Sequence, residues 1–273
     1  MYRPLLLSAL ATTSLVFVNG CGLSQGPSQA ASQDLDLKIQ HVVIIVQENR
    51  TPDNLFHNLP GADIATSGLD SAGRTIPLTP ETLASDYDLD HSHAAFVNMY
   101  NKGKMDGANK VAVVDDRKTF CPNDPLACPP PPRDAQFKYV PPSEVVPYFQ
   151  LAEEYTFGDR MFQTNQGPSF PAHQFLLSGT SAPSITSDLQ TLSNPAGVLN
   201  AGNNTGCTAP PGEFVAMIDP LGREGFFQYP CFDHPTLTDR LNTQGLSWAY
   251  YTPLAGSIWT APNAILHMRF GAD

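Results

Sequence analysis

The sequence predicts an α/β fold with a central, mainly parallel sheet flanked by helices, and three observations carry that reading. Residues 37–47 form a nearly unbroken run of Val and Ile, apolar on both faces, as a strand covered by helices on each side must be. Segments of helical periodicity then alternate with short β-rich runs, the order that builds parallel α/β sheets. Neither a repeat nor a linker divides the body of the 273-residue chain, which suits one large domain from residue 37 onward.

The N-terminus stands apart from that domain. Arg3 precedes an apolar run over residues 5–18, which is shorter than the ~20 residues a membrane-spanning helix needs. A positive start, a short apolar core and a small residue before the cut mark residues 1–20 as a secretory signal. The ending Val18-Asn19-Gly20-Cys21 resembles a lipobox, so Cys21 is expected to carry a lipid anchor, the alternative being a secreted protein with a stray cysteine. Residues 21–36, rich in Ser, Gln, Gly and Ala, would tether the domain. The expected location is therefore outside the cytoplasm, as a periplasmic or outer-membrane lipoprotein or a secreted protein.

Within the body, Thr51-Pro52 ends the first strand by keeping the chain extended and then turning it. Residues 61–80 read as loop. Residues 93–103 read as a helix, with Phe96, Met99 and Tyr100 on one face and Gly103 as its stop. A short strand is expected at 111–114, and the Pro-rich stretch 121–133 should be a surface excursion. Helices follow at 145–155, with Val146, Phe149 and Leu151 inward, and at 169–178, stopped by Gly179. Residues 194–222 read as loop, 237–242 as a helix stopped by Gly245, and 247–251 as a strand.

The formal net charge is −11, and −12 once Arg3 leaves with residues 1–20. With no Lys/Arg cluster to offset that charge, nucleic acid is excluded as a partner. An anionic substrate would need a metal or a helix N-terminus to provide local positive potential. Of the five cysteines, four remain beside Cys21: Cys121, Cys128, Cys207 and Cys231. An even count in an exported chain favours disulfides, and the local pairings Cys121–Cys128 and Cys207–Cys231 are preferred among three connectivities.

Three stretches carry chemistry. Glu48 and Asn49 lie at the carboxyl end of the 37–47 run, where ligands collect in open α/β sheets. A carboxylate beside a carboxamide suits a hard divalent cation, provided that regular strand geometry breaks there. Ser169, in Asn165-Gln166-Gly167-Pro168-Ser169, falls at the N-cap of a helix, where free amides and the helix dipole favour an oxyanion. A serine needs a base or a metal to become a nucleophile, and the absence of a GxSxG elbow disfavours a hydrolase triad. Asp86, Asp88 and Asp90 mimic an EF-hand opening, but His91 stands where glycine is required and Val97 where glutamate is. His91 and His93 sit at a helix start, suited to contacting a phosphoryl oxygen or protonating a leaving group. His234, a lone histidine, reads as structural.

Taken in order, IQHVVIIVQENRTPDNLF, LDHSHAAFVNMYNKGKMDG, FGDRMFQTNQGPSFPAHQFLLSGTS and PTLTDRLNTQGLSWAYY resemble the bacterial phosphoesterase family of secreted phospholipases C and metal-dependent acid phosphatases. The resemblance runs from about residue 38 to 273. It implies an alkaline-phosphatase-like fold, a divalent metal held by Glu48, Asn49 and Ser169, Ser169 as nucleophile through a phosphoserine, and His91 near the transferred group. The implied substrate is a phosphate ester, either a phospholipid or a small phosphomonoester, met at a membrane through the lipid anchor. Family members carry a later Trp-Asp-Asp block that completes the metal site and is lacking here. Residues 37–273 are thus expected to be the N-terminal portion of the domain, and a catalytically silent surface or binding lipoprotein is the alternative.

Overall fold

In a computed structural model that describes residues 39–196, 204–252 and 254–271, the chain falls into two units, Met1–Glu48 and Asn49–Asp273. The expected signal, Cys21 and the tether to residue 36 lie outside the described residues. In the first unit, residues 39–48 join no ladder among the described residues, and residues 42–45 are 74–87 % exposed. The strand expected at 37–47 is therefore not formed in its described part. Val and Ile favour extended backbone through their stiff side chains. A strand also needs a neighbour to take its N–H and C=O groups, and composition does not reveal one.

The second unit opens on a break in the backbone. Asn49 has φ 70°, the left-handed region that asparagine tolerates better than most residues. Thr51 is extended ahead of Pro52, and its Oγ1 accepts the Asn54 N–H at 3.2 Å. Proline at the first helical position, behind a threonine cap, starts α1 (Pro52–Leu55). The stretch 61–80 is more ordered than expected. In it β1 (Ser67–Leu69) pairs antiparallel with β2 (Thr75–Pro77), and β3 (Thr79–Pro80) follows.

The strand expected near 111–114 is present. β4 (Tyr87–Leu89) pairs antiparallel with β5 (Val113–Asp115). Between them lies α2 (His93–Tyr100), capped by the Ser92 Oγ that accepts the Ala95 N–H at 3.2 Å. Asn101, Lys102 and Gly103 then take left-handed conformations in succession, so α2 ends at Tyr100, just short of the stop expected at Gly103. Past α3 (Arg117–Phe120), residues 121–133 hold no helix or strand and are closed by the Cys121–Cys128 disulfide, as expected.

β6 (Lys138–Tyr139) pairs in parallel with β3. Beside it, Leu55, Val140 and Val145 are buried together, with Phe56, Leu83, Tyr148 and Phe149 packed against them. The following helix, α4 (Val146–Glu154), turns inward only part of the face expected, with Phe149 packed against this cluster. Val146 and Leu151 are 46 and 58 % exposed, while Val145, just ahead of the helix, is fully buried. Apolar residues surround this helix on more than one side, so periodicity alone does not select the buried stripe.

α5 (Ser169–Ser178) ends at Gly179, φ 65°, as expected. Its first turn packs on a three-stranded antiparallel sheet of β7 (Gln190–Thr191), β8 (Val215–Ile218) and β9 (Phe226–Gln228), in that order. Val215 and Met217 alternate inward from β8 and meet Phe170, Phe232, Ile258 and Ala264 in the second core. β8 lies inside the stretch read as loop, since four residues between Gly- and Pro-rich segments give little periodicity to read.

α6 (Leu237–Thr243) carries a reciprocal cap between Thr236 and Asp239, and Gly245 follows at φ 67°. The strand expected at 247–251 is not formed; those residues join no ladder, and Tyr251 is 92 % exposed. α7 (Ala261–Ala264) and α8 (Leu266–Phe270) follow, and Cys207 bonds to Cys231 as expected. The fold is thus mixed α/β, with helices beside small sheets; among the described residues β3–β6 pairs in parallel, the other ladders are antiparallel, and isolated parallel bridges join Ser184 to Asp233 and Phe232 to Ile265.

Candidate active site around Ser169

Ser169 is the first residue of α5. Pro168 occupies the N-cap, so the capping role expected of Ser169 is not its role. The backbone on either side is held from several directions. A Cβ on Gly167 would lie 2.9 Å from both the Leu192 carbonyl oxygen and Pro171 Cγ, so this approach to the sheet requires glycine. Asn165 Nδ2 donates to the Gly167 carbonyl at 3.0 Å. On the helix side, the Phe170 N–H donates to Asn194 Oδ1 at 3.0 Å, and the Phe170 ring is buried in the second core. The result is a hydroxyl-bearing residue at the positive end of a ten-residue helix, on a backbone with little freedom to shift.

The two histidines of the Asp90-His91-Ser92-His93 block part company. His91 Nε2 lies 3.2 Å from Asp88 Oδ1, and its hydrogen bond is the main cause that holds the Asp88 carboxyl below the ordinary range. His93, the first residue of α2, instead reaches the Ser169 turn. Its Nδ1 is 2.7 Å from the Gln166 carbonyl oxygen, three residues ahead of Ser169, and Glu224 Oε1 lies 3.3 Å from its Nε2. In sequence the two histidines form a pair and the family resemblance singles out His91, whereas His93 is the one that reaches the Ser169 turn. Asn194 and Glu224 are not marked as neighbours of Ser169 by any local pattern.

Glu48 closes the first unit and Asn49 opens the second. Asn49 is left-handed, at φ 70°. His234 is buried, with Nδ1 2.8 Å from the Ala182 carbonyl. Burial pushes its pKa down, in keeping with the structural role expected of it. Among the described residues, Asp86, Cys121 and Cys128 bring a carboxylate oxygen and two sulfurs within 4.8 Å of one another. Those sulfurs are joined in a disulfide and present no thiolate, so this group does not fit a metal.

A family model described as the phosphoesterase family matches residues 39–267. No curated protein matches the chain.

Proposed function

The chain belongs to the phosphoesterase family, and on that premise we propose that it is a metal-dependent hydrolase of phosphoric esters with Ser169 as its nucleophile. Hydrolysis of phosphoric esters as a class follows from the family. The finer reading is carried by the placement of Ser169 at the first position of α5, on a backbone held through Gly167, Phe170 and Asn194. In this reading the Ser169 oxygen attacks phosphorus and the ester oxygen leaves with a proton, giving a phosphoserine. Water then attacks the same phosphorus, and phosphate (from a phosphomonoester) or the headgroup phosphomonoester (from a phospholipid) departs as the serine oxygen is reprotonated. His91 is assigned the proton transfers at the leaving oxygen and at the water.

The donor set Glu48, Asn49 and Ser169 is all oxygen, which suits a hard or borderline divalent cation. Such an ion, when bound, supplies positive charge that favours the serine alkoxide and offsets charge on the phosphoryl oxygens. The substrate is a phosphate ester, either a small phosphomonoester or a phospholipid. An exported protein anchored through lipid on Cys21 accords with the two disulfides, which persist in oxidising compartments.

The test is hydrolysis of an aryl phosphate and of a phosphatidylcholine analogue after dialysis against a chelator, with and without added divalent metal. Turnover of at least one substrate should depend on the metal and vanish in Ser169→Ala. Metal-independent turnover, or activity retained in Ser169→Ala, would overturn the reading. No turnover by the wild type under any condition would favour a surface or binding protein.

A further inference from the structure

We infer that His93 is a positioning residue for Ser169, acting through the backbone carbonyl of Gln166; this rests on the role proposed for Ser169. Three segments distant in sequence meet at its ring. The ring starts α2, where Ser92 is held by Asp90 through both its N–H and its hydroxyl at 2.9 Å. Nδ1 lies 2.7 Å from the Gln166 carbonyl oxygen. Nε2 faces Glu224, which follows the turn closed by the Asp219–Arg223 ion pair and precedes β9. Only 13 % of the side chain is exposed, and the ring stacks on Phe96 with centroids 6.2 Å apart.

A carbonyl oxygen can only accept, so the Nδ1 of His93 carries the proton and donates. The Gln166 carbonyl would otherwise lose its partner at the entry to the Gly167-Pro168-Ser169 turn. Asn194 holds the Phe170 amide on the far side of Ser169, so His93 and Asn194 clamp the residue from its two flanks. A nucleophile displaced by about 1 Å can lose on the order of a hundredfold in rate, which makes the clamp consequential although His93 itself touches no reacting atom in this scheme.

The chemistry of the clamp separates a donor from a mere filler. In His93→Asn the Nδ2 amide occupies the place of the ring Nδ1 and keeps a donor for Gln166, but the ring is lost. In His93→Phe the ring and its stacking on Phe96 are kept, but the donor is lost. Hydrogen–deuterium exchange over residues 165–172 reads the turn without reference to catalysis. The expected result is about tenfold or faster exchange in His93→Phe than in wild type, with His93→Asn restored to within about threefold. kcat should fall in the same order, by about tenfold or more in His93→Phe with KM little changed. The inference is overturned if exchange over 165–172 in His93→Phe matches wild type, or if His93→Asn loosens the turn as much as His93→Phe does. Ser169→Ala run in parallel keeps the two readings apart. Retained activity there would sink the nucleophile assignment and leave the exchange result to decide on His93.

Discussion

Asp219 accepts the Arg223 Nε–H at 2.6 Å with one carboxylate oxygen, while its other oxygen accepts the backbone amides of Leu221 and Arg223 at 2.9 and 2.8 Å. Asp70 repeats the arrangement with Ala72 and Arg74, at 3.0 and 2.9 Å to the amides and 2.6 Å to Nε. Both turns read Asp-x-x-Gly-Arg, and both glycines, Gly73 and Gly222, take positive φ where the chain reverses. One turn joins β1 to β2, and the other joins β8 to β9 and delivers Glu224 to His93.

Acid should therefore loosen both hairpins. Hydrogen bonds from the Arg74 amide and side chain hold the Asp70 carboxyl below its ordinary value of 3.8. Burial acts to raise the Asp219 carboxyl, but the bonds from Arg223 and Leu221 outweigh it and leave it lowered too. A carboxyl that titrates lower in the folded state contributes stability that is fully present above its unfolded value, about 3.9, and is lost as pH falls through the folded value. Thermal melts from pH 7 down to about pH 3 should thus show a drop concentrated below about pH 4. Asp70→Asn and Asp219→Asn should each lower the melting temperature at pH 7 and flatten the acid limb. An unchanged acid limb in the double variant would count against these carboxyls as its source.

Phe170 and Asn194 hold the helix side of Ser169 by different means, and their losses should differ in size. Phe170 is 2 % exposed among Val215, Met217 and Phe232, so Phe170→Ala should cost about 3–5 kcal/mol through lost burial and a residual cavity. Asn194→Ala removes one side-chain acceptor from a helix-start amide and should cost about 1 kcal/mol. Urea unfolding of the two variants measures the difference. Equal costs would mean that the Asn194 contact is embedded in more packing than its single hydrogen bond represents.

These residues also show what was legible in the chain before its structure. α5 was legible because the Gly167-Pro168 turn and Gly179 punctuate it locally, and α6 because Gly245 stops it. The run at 42–45 was misread because the property that makes a strand, a partner along its edge, is not local. β8 hid in a loop-like stretch for the converse reason, since its four residues are strand only through β7 and β9. At the candidate site the start of a helix near Ser169 was legible from its turn, though the cap falls on Pro168. His93 could be named but not placed, because its partners Gln166 and Glu224 lie 73 and 131 residues further along the chain.

The two disulfides should contribute unequally. Cys207–Cys231 closes a separation of 24 residues and Cys121–Cys128 one of 7. In the loop-entropy account these correspond to about 3.5 and about 2.4 kcal/mol at 25 °C. Cys207 also neighbours the buried Gly206 and Thr205, and Cys231 adjoins Phe232 of the second core, whereas the 121–128 loop touches neither core. Replacing Cys207 and Cys231 together by Ser should therefore lower stability more than the same change at Cys121 and Cys128, as read by urea midpoints under non-reducing conditions. The reverse order would place the Pro-rich excursion, rather than the β8 region, at the centre of cooperative unfolding.

The metal reading is tested most directly by ion content. Glu48 brings a charge and Asn49 a neutral carboxamide, so their removal should weaken a divalent cation to different degrees. Glu48→Gln keeps the size of the side chain and an oxygen donor but removes the negative charge; Asn49→Ala removes a donor and leaves the charge. Hard cations respond most to charge, so Glu48→Gln should lose more bound metal than Asn49→Ala in elemental analysis after dialysis against trace metal. A complication is that Asn49 also holds a left-handed backbone, where alanine is strained, so Asn49→Ala alone could lower metal through the backbone. Asn49→Gly removes the same donor without that strain, and it should lose metal as Asn49→Ala does. Full metal content in Asn49→Gly beside a deficit in Asn49→Ala would assign Asn49 a conformational role only. Unchanged stoichiometry in Glu48→Gln as well would remove both residues from the proposed ligand set.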